Sequence, residues 1–145
     1  MKIREAKKDD LEQLLELYTQ LNNNNMPAFD RRLEDVWDKI HSNADYHIIV
    51  GLVNGRIVSS CVIVVILNLT HEQRPYALVE NMITCEAHRR KGYATQLLEF
   101  AKQIAVNENC YKIILLTGSK QESTLDFYRK AGYNSNDKIA FIQWL

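Results

Sequence analysis

The chain of 145 residues has little of what usually breaks or staples a fold: two prolines, five glycines and three cysteines. So little Pro and Gly excludes a collagen-like or low-complexity chain. Cys61, Cys85 and Cys110 are odd in number and widely spaced, with no CxxC pair. That pattern argues against a disulfide framework or a zinc ribbon and reads as reduced, cytoplasmic thiols. Net charge is missing too, since 18 Lys and Arg balance 18 Asp and Glu. A chain so balanced is a poor polybasic coat for nucleic acid or an anionic membrane. The longest apolar run, Cys61 to Leu67, is far too short to cross a bilayer. The charged start, Met1-Lys2-Ile3-Arg4-Glu5, lacks the apolar core of a signal peptide. The expectation is a soluble cytoplasmic protein with no nucleic-acid and no membrane partner.

What is present reads as one domain over residues 1–145, with 46% apolar and 25% charged residues. Lys2 to Ala6 alternates like a short strand. Asp9 and Asp10 offer capping oxygens to a helix patterned by Leu11, Leu14, Leu15 and Tyr18, which the asparagine run Asn22 to Asn25 should end. Leu33, Val36, Trp37 and Ile40 predict a second helix. Tyr46 to Val53 and Arg56 to Leu69 predict two strands joined by the turn Asn54-Gly55. After a loop at His71 to Pro75, a strand is expected from Tyr76 to Cys85. A helix carried by Leu97, Leu98, Ala101, Ile104 and Ala105 follows, then a strand from Tyr111 to Leu116. A helix through Leu125, Phe127 and Tyr128 should stop at Gly132, and Ile139 to Leu145 reads as a last strand. This order predicts an α/β (α+β) fold in which about four helices flank a mixed, mostly antiparallel sheet of about six or seven strands. The strand-helix-strand stretch 76–116 should contribute a parallel pair through a right-handed crossover.

The chemistry concentrates where the 76–85 strand gives way to a helix, through Glu86-Ala87-His88-Arg89-Arg90-Lys91-Gly92-Tyr93-Ala94-Thr95. The first turn of a helix leaves backbone N–H groups unpaired at the positive end of its dipole. Gly92 and Ala94 let an anion approach that backbone, and Arg89, Arg90 and Lys91 add charge beside it. A phosphate cradle and a solvated basic turn are both consistent with the loop alone. Neither a Gly-Lys-Ser/Thr P-loop nor a GxGxxG fingerprint is present.

The loop resembles the (Gln/Arg)-x-x-Gly-x-(Gly/Ala) motif of the GNAT superfamily of N-acetyltransferases, through Arg89, Gly92 and Ala94. Phe127-Tyr128-Arg129-Lys130-Ala131-Gly132-Tyr133 is similar to the same family's Phe-Tyr-x-x-x-Gly-Phe signature, and the element order agrees along nearly the whole chain. The resemblance implies acetyl transfer from acetyl-CoA to a primary amine of a small molecule or protein, by direct attack in a ternary complex. It implies that the backbone from Arg89 through Arg90, Lys91, Gly92 and Tyr93 to Ala94 wraps the pyrophosphate, with Thr95 close by. Met82, Ile83 and Thr84 would bond the pantetheine arm, where a strand bulge and a splayed parallel pair are expected. The alternative is a non-catalytic acyl-CoA sensor or regulatory module that keeps the cosubstrate site.

An ammonium has no lone pair, so an amine acceptor must lose a proton before it attacks a thioester. Glu80 is the candidate base, sharing a face with Met82 and Thr84 by strand alternation. It reads equally as an exposed or paired strand carboxylate. Tyr128 matches the family's proton donor to the leaving thiolate, against a reading as a core-edge ring. Many relatives carry Asn seven residues before that tyrosine and Ala four before it; here Gln121 and Thr124 stand there, and Gln121 is the candidate pantetheine contact.

No metal ligand set is expected, since no histidine follows His71-Glu72 at zinc-protease spacing. Cys85 reads as a buried, inert thiol, His41 and His47 as surface or rim residues, and Trp37 and Trp144 as core or interface. The resemblance implies that the first two helices and their connection, roughly Tyr18 to Arg32 with Asn22 to Asn25, Met26, Phe29 and Asp30, lie over the acceptor site. The mixed character of that stretch leaves the acceptor open. An apolar last strand ending in Trp144-Leu145 also allows a homodimer.

Overall fold

The β-branched run from 46 to 66 builds the middle of a sheet. In the computed structural model, which describes residues 1–21 and 24–145, β2 (Tyr46–Val53) and β3 (Arg56–Ile66) pair antiparallel. Asn54 and Gly55 join them with φ of 50° and 80°, the left-handed pair that a tight hairpin turn demands. β1 (Lys2–Glu5) pairs with β2 and β4 (Tyr76–Thr84) with β3, both antiparallel. β5 (Ile113–Leu115) lies beside β4 as the parallel pair, giving the order β1-β2-β3-β4-β5.

The mixed sheet is as expected, but among the described residues it has five strands rather than six or seven. The missing one is the predicted terminal strand, because Ile139 to Leu145 joins no ladder. Trp144, expected in a core or interface, is 89% exposed. The Arg56 strand also stops at Ile66 rather than Leu69. The chain divides into two compact units, Met1–Ile114 and Leu115–Leu145.

In the first unit, α1 (Leu11–Tyr18) and α2 (Arg31–Ser42) share one core with a single face of the sheet. Leu14, Leu17 and Trp37 meet Ile48, Val50, Ile57, Val62 and Ile83 there. Helix α1 ends at Tyr18; of the asparagine run expected to end it, Asn22 and Asn23 lie outside the described residues. Asp30 caps α2, accepting the Leu33 N–H at 3.0 Å, and Trp37 Nε1 donates to the Lys8 carbonyl at 3.1 Å. On the opposite face α3 (Tyr93–Asn107) buries Leu97, Leu98, Ala101 and Ala105 against β2, β3 and β4. No helix among the described residues is long and apolar enough to cross a membrane.

Asp10 departs from its predicted use. It does not cap α1 with its side chain. It turns back, accepting the Lys7 N–H at 2.7 Å and a two-pronged bond from Arg4, one prong at 2.9 Å. The Arg4 hydrogen bond holds the Asp10 carboxyl below its ordinary range, with burial opposing it and the Lys7 N–H reinforcing it. A carboxyl with a depressed folded pKa stabilises the fold above its unfolded pKa, and that contribution disappears as pH falls through the folded value. Asp10→Ala should therefore cost about 2–4 kcal/mol at neutral pH, because it also leaves Arg4 without its partner. Urea melts at pH 7 and pH 3 should show the penalty shrinking in acid. Equal wild-type and variant midpoints at pH 7 would refute it.

The second unit holds α4 (Glu122–Lys130). Arg129 braces it through Glu122 at 2.6 Å and Asp126 at 2.7 Å. The helix stops where Gly132 takes φ 93°, while the Tyr133 N–H bonds the Tyr128 carbonyl at 3.1 Å.

Candidate functional site

Strand β4 carries an irregularity at its centre. Ser60 pairs with Ile83 and Val62 with Glu80, so Cys61 alone faces both Asn81 and Met82. That is a β-bulge, and Asn81 absorbs it with φ 50°. The bulge resets the alternation. Glu80 stands opposite Val62 and Ile83 opposite Ser60, so Glu80 shares the α1/α2 face with Ile83. The expectation that Glu80 faces the same way as Met82 and Thr84 is corrected on this point. Thr84 pairs with Ser59 on the other face, where their hydroxyls lie 2.7 Å apart.

Glu80 lies beside residues that no motif singled out. Tyr18, Tyr46 and Val64 pack on the same core cluster, and the negative charge of Glu80 adds to burial in raising the Tyr46 phenol pKa. Burial pushes the Tyr18 phenol up to about 12, with nearby Ser60 opposing part of the rise. The two oxygens still fall short of hydrogen-bond geometry, and both the Tyr18 hydroxyl and Ser60 Oγ are buried without a protein partner. In sequence Tyr18 reads as one more apolar position of α1 and Ser60 as a strand filler. Their meeting is set by strand register, which sequence spacing does not encode.

Past β4 the chain makes a short 3-10 turn, Glu86–His88, and swings into α3. Gln20, from just after α1, ties this junction down by accepting the Glu86 N–H at 3.1 Å, while its Nε2 lies 3.8 Å from Cys85 Sγ. Sequence reading placed Gln20 only within the Tyr18 to Arg32 stretch expected over the acceptor site, with no tie to this junction. Arg89 Nε donates to the Thr84 carbonyl at 3.3 Å, and its guanidinium meets Glu86 at 3.3 Å; Lys91 Nζ donates to the Ala87 carbonyl at 3.2 Å. These cations brace the loop's own backbone while staying largely exposed. Arg90 and Gly92 both take left-handed φ, 61° and 75°.

Gly92 is the N-cap of α3 and provides no side-chain cap. The first intrahelical bond runs from the Gln96 N–H to the Gly92 carbonyl at 3.1 Å, so the N–H groups of Tyr93, Ala94 and Thr95 have no acceptor within the helix. The first turn contains no acidic residue, and a Cβ on Gly92 would meet nothing within 4 Å. N–H groups without an acceptor in the helix, the positive dipole end and open space are the features by which a helix start can hold an anion. The ring of His88 stacks near Tyr93, with centroids 6.4 Å apart.

On the other flank, β5 has three residues against nine in β4, too few to accompany it along its whole length. A strand interrupted by a bulge, a short parallel neighbour and a glycine-opened helix start thus follow one another within a single run of chain. The matching domain pattern is the acetyltransferase (GNAT) family, over residues 4–133. This chain belongs to the GNAT acetyltransferase family.

Members of the GNAT family transfer an acyl group from acetyl-CoA. Among solved structures, this GNAT chain is similar to a putative acetyltransferase from Agrobacterium tumefaciens, with 33% identity, coverage of 99% of this chain and 100% of that one, and a TM-score of 0.91. A transcriptional regulator from Bacillus halodurans shares the fold at 23% identity and a TM-score of 0.88, covering 99% of both chains. Glucosamine-6-phosphate N-acetyltransferase from Arabidopsis thaliana shares it at 22% identity and 0.85, over 99% of this chain and 97% of that one.

Of the residues expected at the GNAT site, Glu80, Met82, Ile83, Thr84 and Arg89 to Thr95 all fall in the first unit, along the β4–α3 run. Tyr128 and Gln121 belong to the second. There Tyr128 lies on α4 with its ring 4.9 Å from Phe127 and 6.3 Å from Tyr133. Gln121 is the N-cap of α4 without a side-chain cap bond, and its own N–H reaches Ser119 Oγ at 3.3 Å. His47 and His41, expected as surface or rim residues, are both half-buried; His47 places Nδ1 3.0 Å from Glu5, and each buries its Nε2. One open concavity of about 710 Å³, lined by Lys8, Asp35, Asp38, Lys39, His41 and Ser42, contains none of the expected site residues.

Proposed function

We propose that this GNAT chain is an N-acetyltransferase that transfers the acetyl group of acetyl-CoA to a primary amine of a small molecule or protein, by direct attack in a ternary complex. The observation that carries the reading is the succession of β4 bulge, Gly92 and uncapped α3 start. The donor set fits the cosubstrate: a pyrophosphate needs converging N–H donors and no competing carboxylate, and the first turn of α3 offers both conditions. Acetyl-CoA supplies an acyl group activated as a thioester.

The roles of the chain's own groups follow. The N–H groups of Tyr93, Ala94 and Thr95, with the backbone of Arg89 to Gly92, hold the pyrophosphate. The backbone of Met82 to Thr84 aligns the pantetheine arm, and a main-chain amide of the bulge at Asn81-Met82 bonds the thioester oxygen. Glu80 takes the proton from the ammonium of the acceptor, directly or through water. Tyr128, standing at the family's Phe-Tyr position, gives a proton to the departing sulfur, and Gln121 supplies an amide to the arm.

Calorimetric titration with acetyl-CoA and a thiol-release assay over several amine classes test the reading. Binding with turnover on at least one class supports it. Binding without turnover on any class would favour an acyl-CoA sensor, and no binding at all would remove both. Gly92→Asp sharpens the test. It places a negative charge where the anion should sit, at a left-handed φ that Asp tolerates better than most residues. Acetyl-CoA affinity should fall roughly tenfold or more, given about 0.3–2 kcal/mol for a charge at a helix terminus plus direct repulsion. Gly92→Ala, with open space around its Cβ, should lose less. Unchanged affinity in Gly92→Asp would place the anion elsewhere.

A further inference from the structure

The 3-10 turn that leads from β4 toward Gly92 is capped from outside. Its N-cap residue, Cys85, makes no side-chain cap bond. The Glu86 N–H, which the turn leaves without an internal acceptor, donates instead to Gln20 Oε1 at 3.1 Å, across 66 residues of sequence. Gln20 Nε2 lies 3.8 Å from Cys85 Sγ, so one side chain reaches both residues of the junction.

Both ends of this contact are anchored. Helix α1 is held by buried Leu14 and Leu17, and its C-terminal turn fixes Gln20, whose N–H donates to the Leu17 carbonyl at 3.1 Å. Opposite, the Cys85 N–H donates to the Val58 carbonyl at 2.8 Å, tying the end of β4 to β3. Arg89 reaches back to the Thr84 carbonyl and the Glu86 carboxylate, each at 3.3 Å. Glu86 is therefore gripped twice, by Arg89 at its carboxylate and by Gln20 at its amide. From there the chain passes through left-handed Arg90 to Gly92 and into α3.

We infer, on the basis of the proposed acetyl-CoA binding, that Gln20 is a positioning residue for the helix start that receives the pyrophosphate. It caps the Glu86 turn from α1 and so sets where the Arg89 to Gly92 backbone stands. Gln20 acts through Glu86 and not by touching the cosubstrate. Backbone donors bind an anion well when they are held in place beforehand. Without Gln20 the Glu86 N–H turns to water, the loop gains freedom, and binding must order it again. One hydrogen bond of this kind corresponds to about two- to tenfold in affinity.

Calorimetric titration of the full chain with coenzyme A, a probe that binds without turnover, is the first test. Gln20→Met keeps the length of the side chain and loses its amide oxygen; affinity should fall by about two- to tenfold. Gln20→Glu keeps an oxygen for the Glu86 N–H and should retain more of the affinity. Hydrogen exchange on the free protein gives a readout that needs no ligand. The Glu86 amide should be protected in wild type and Gln20→Glu, and should exchange faster in Gln20→Met. Gln20 is exposed, so thermal midpoints should stay close to wild type. Linkage makes the effect reciprocal: saturating coenzyme A should slow Glu86 exchange in wild type by about the factor that Gln20→Met loses in affinity. If Gln20→Met fails to fold, that slowing in wild type decides. Wild-type binding with equal affinity in Gln20→Met would overturn the inference and leave the acetyl-CoA reading standing. So would a Glu86 amide that is unprotected, or whose exchange ignores coenzyme A. No binding by wild type would overturn the reading itself, and the role of Gln20 with it.

Discussion

Tyr128→Phe should lower kcat by about 10²-fold or more while leaving the KM for acetyl-CoA within a small factor of wild type, the loss that removing a positioned general acid produces. The substitution deletes one hydroxyl. The ring remains, with its contacts to Phe127 at 4.9 Å and Tyr133 at 6.3 Å, so α4 should keep its packing. A fall in kcat with little change in KM is the signature of an interaction made while the bond breaks. The pH dependence separates this role from a structural one. An ordinary thiol has a pKa near 8.5, so below about pH 8 the sulfur leaves best with a proton supplied. Above about pH 9 it departs as thiolate without help, and the gap between variant and wild type should narrow. A thermal melt matching wild type would complete the case. Full activity at every pH would take Tyr128 out of the mechanism.

The hairpin and α3 with its glycine-opened start were legible in sequence because each rests on local chemistry. Asn54-Gly55 sets a turn through its own backbone preferences, and Gly92 ahead of an apolar period marks both a left-handed residue and a helix start. The facing of Glu80 was not legible. Alternation predicts it from Thr84 by counting, but one extra residue in β4 inverts the count; Asn81 is a residue type that tolerates left-handed φ, yet nothing around it in sequence says that it adopts one. Asp10 misled for a related reason. Its position fits an N-cap, yet Arg4 and the Lys7 N–H lie closer in space and outbid the α1 backbone. Ile139 to Leu145 has every property of a strand except a partner within the described sheet, and propensity alone cannot say where a partner comes from. The contacts of Gln20 and the meeting of Tyr18 with Ser60 were not legible, because they join separate elements by packing rather than by spacing.

Glu80→Gln should reduce kcat/KM at pH 7 by about 10²–10⁴-fold, the range for loss of a general base. A primary amine with a pKa near 10.4 is unprotonated in about one molecule in a few thousand at pH 7. That fraction rises tenfold with each pH unit, so the solution itself comes to supply the free amine. The deficit of the variant should therefore shrink as pH climbs toward about 10, while wild type gains less over the same span. Gln preserves the shape of the side chain and its place opposite Val62, so the bulge and the core face beneath it should persist. The variant also carries an internal check. The Tyr46 phenol stands above its ordinary pKa through burial first and the Glu80 charge second; removing the charge should lower its titration while burial keeps it raised. A downward shift of Tyr46 would place the lost carboxylate at the site as an anion, independently of turnover. A rate deficit that stayed constant from pH 7 to about 10 would mean that Glu80 organises the acceptor site without taking the proton.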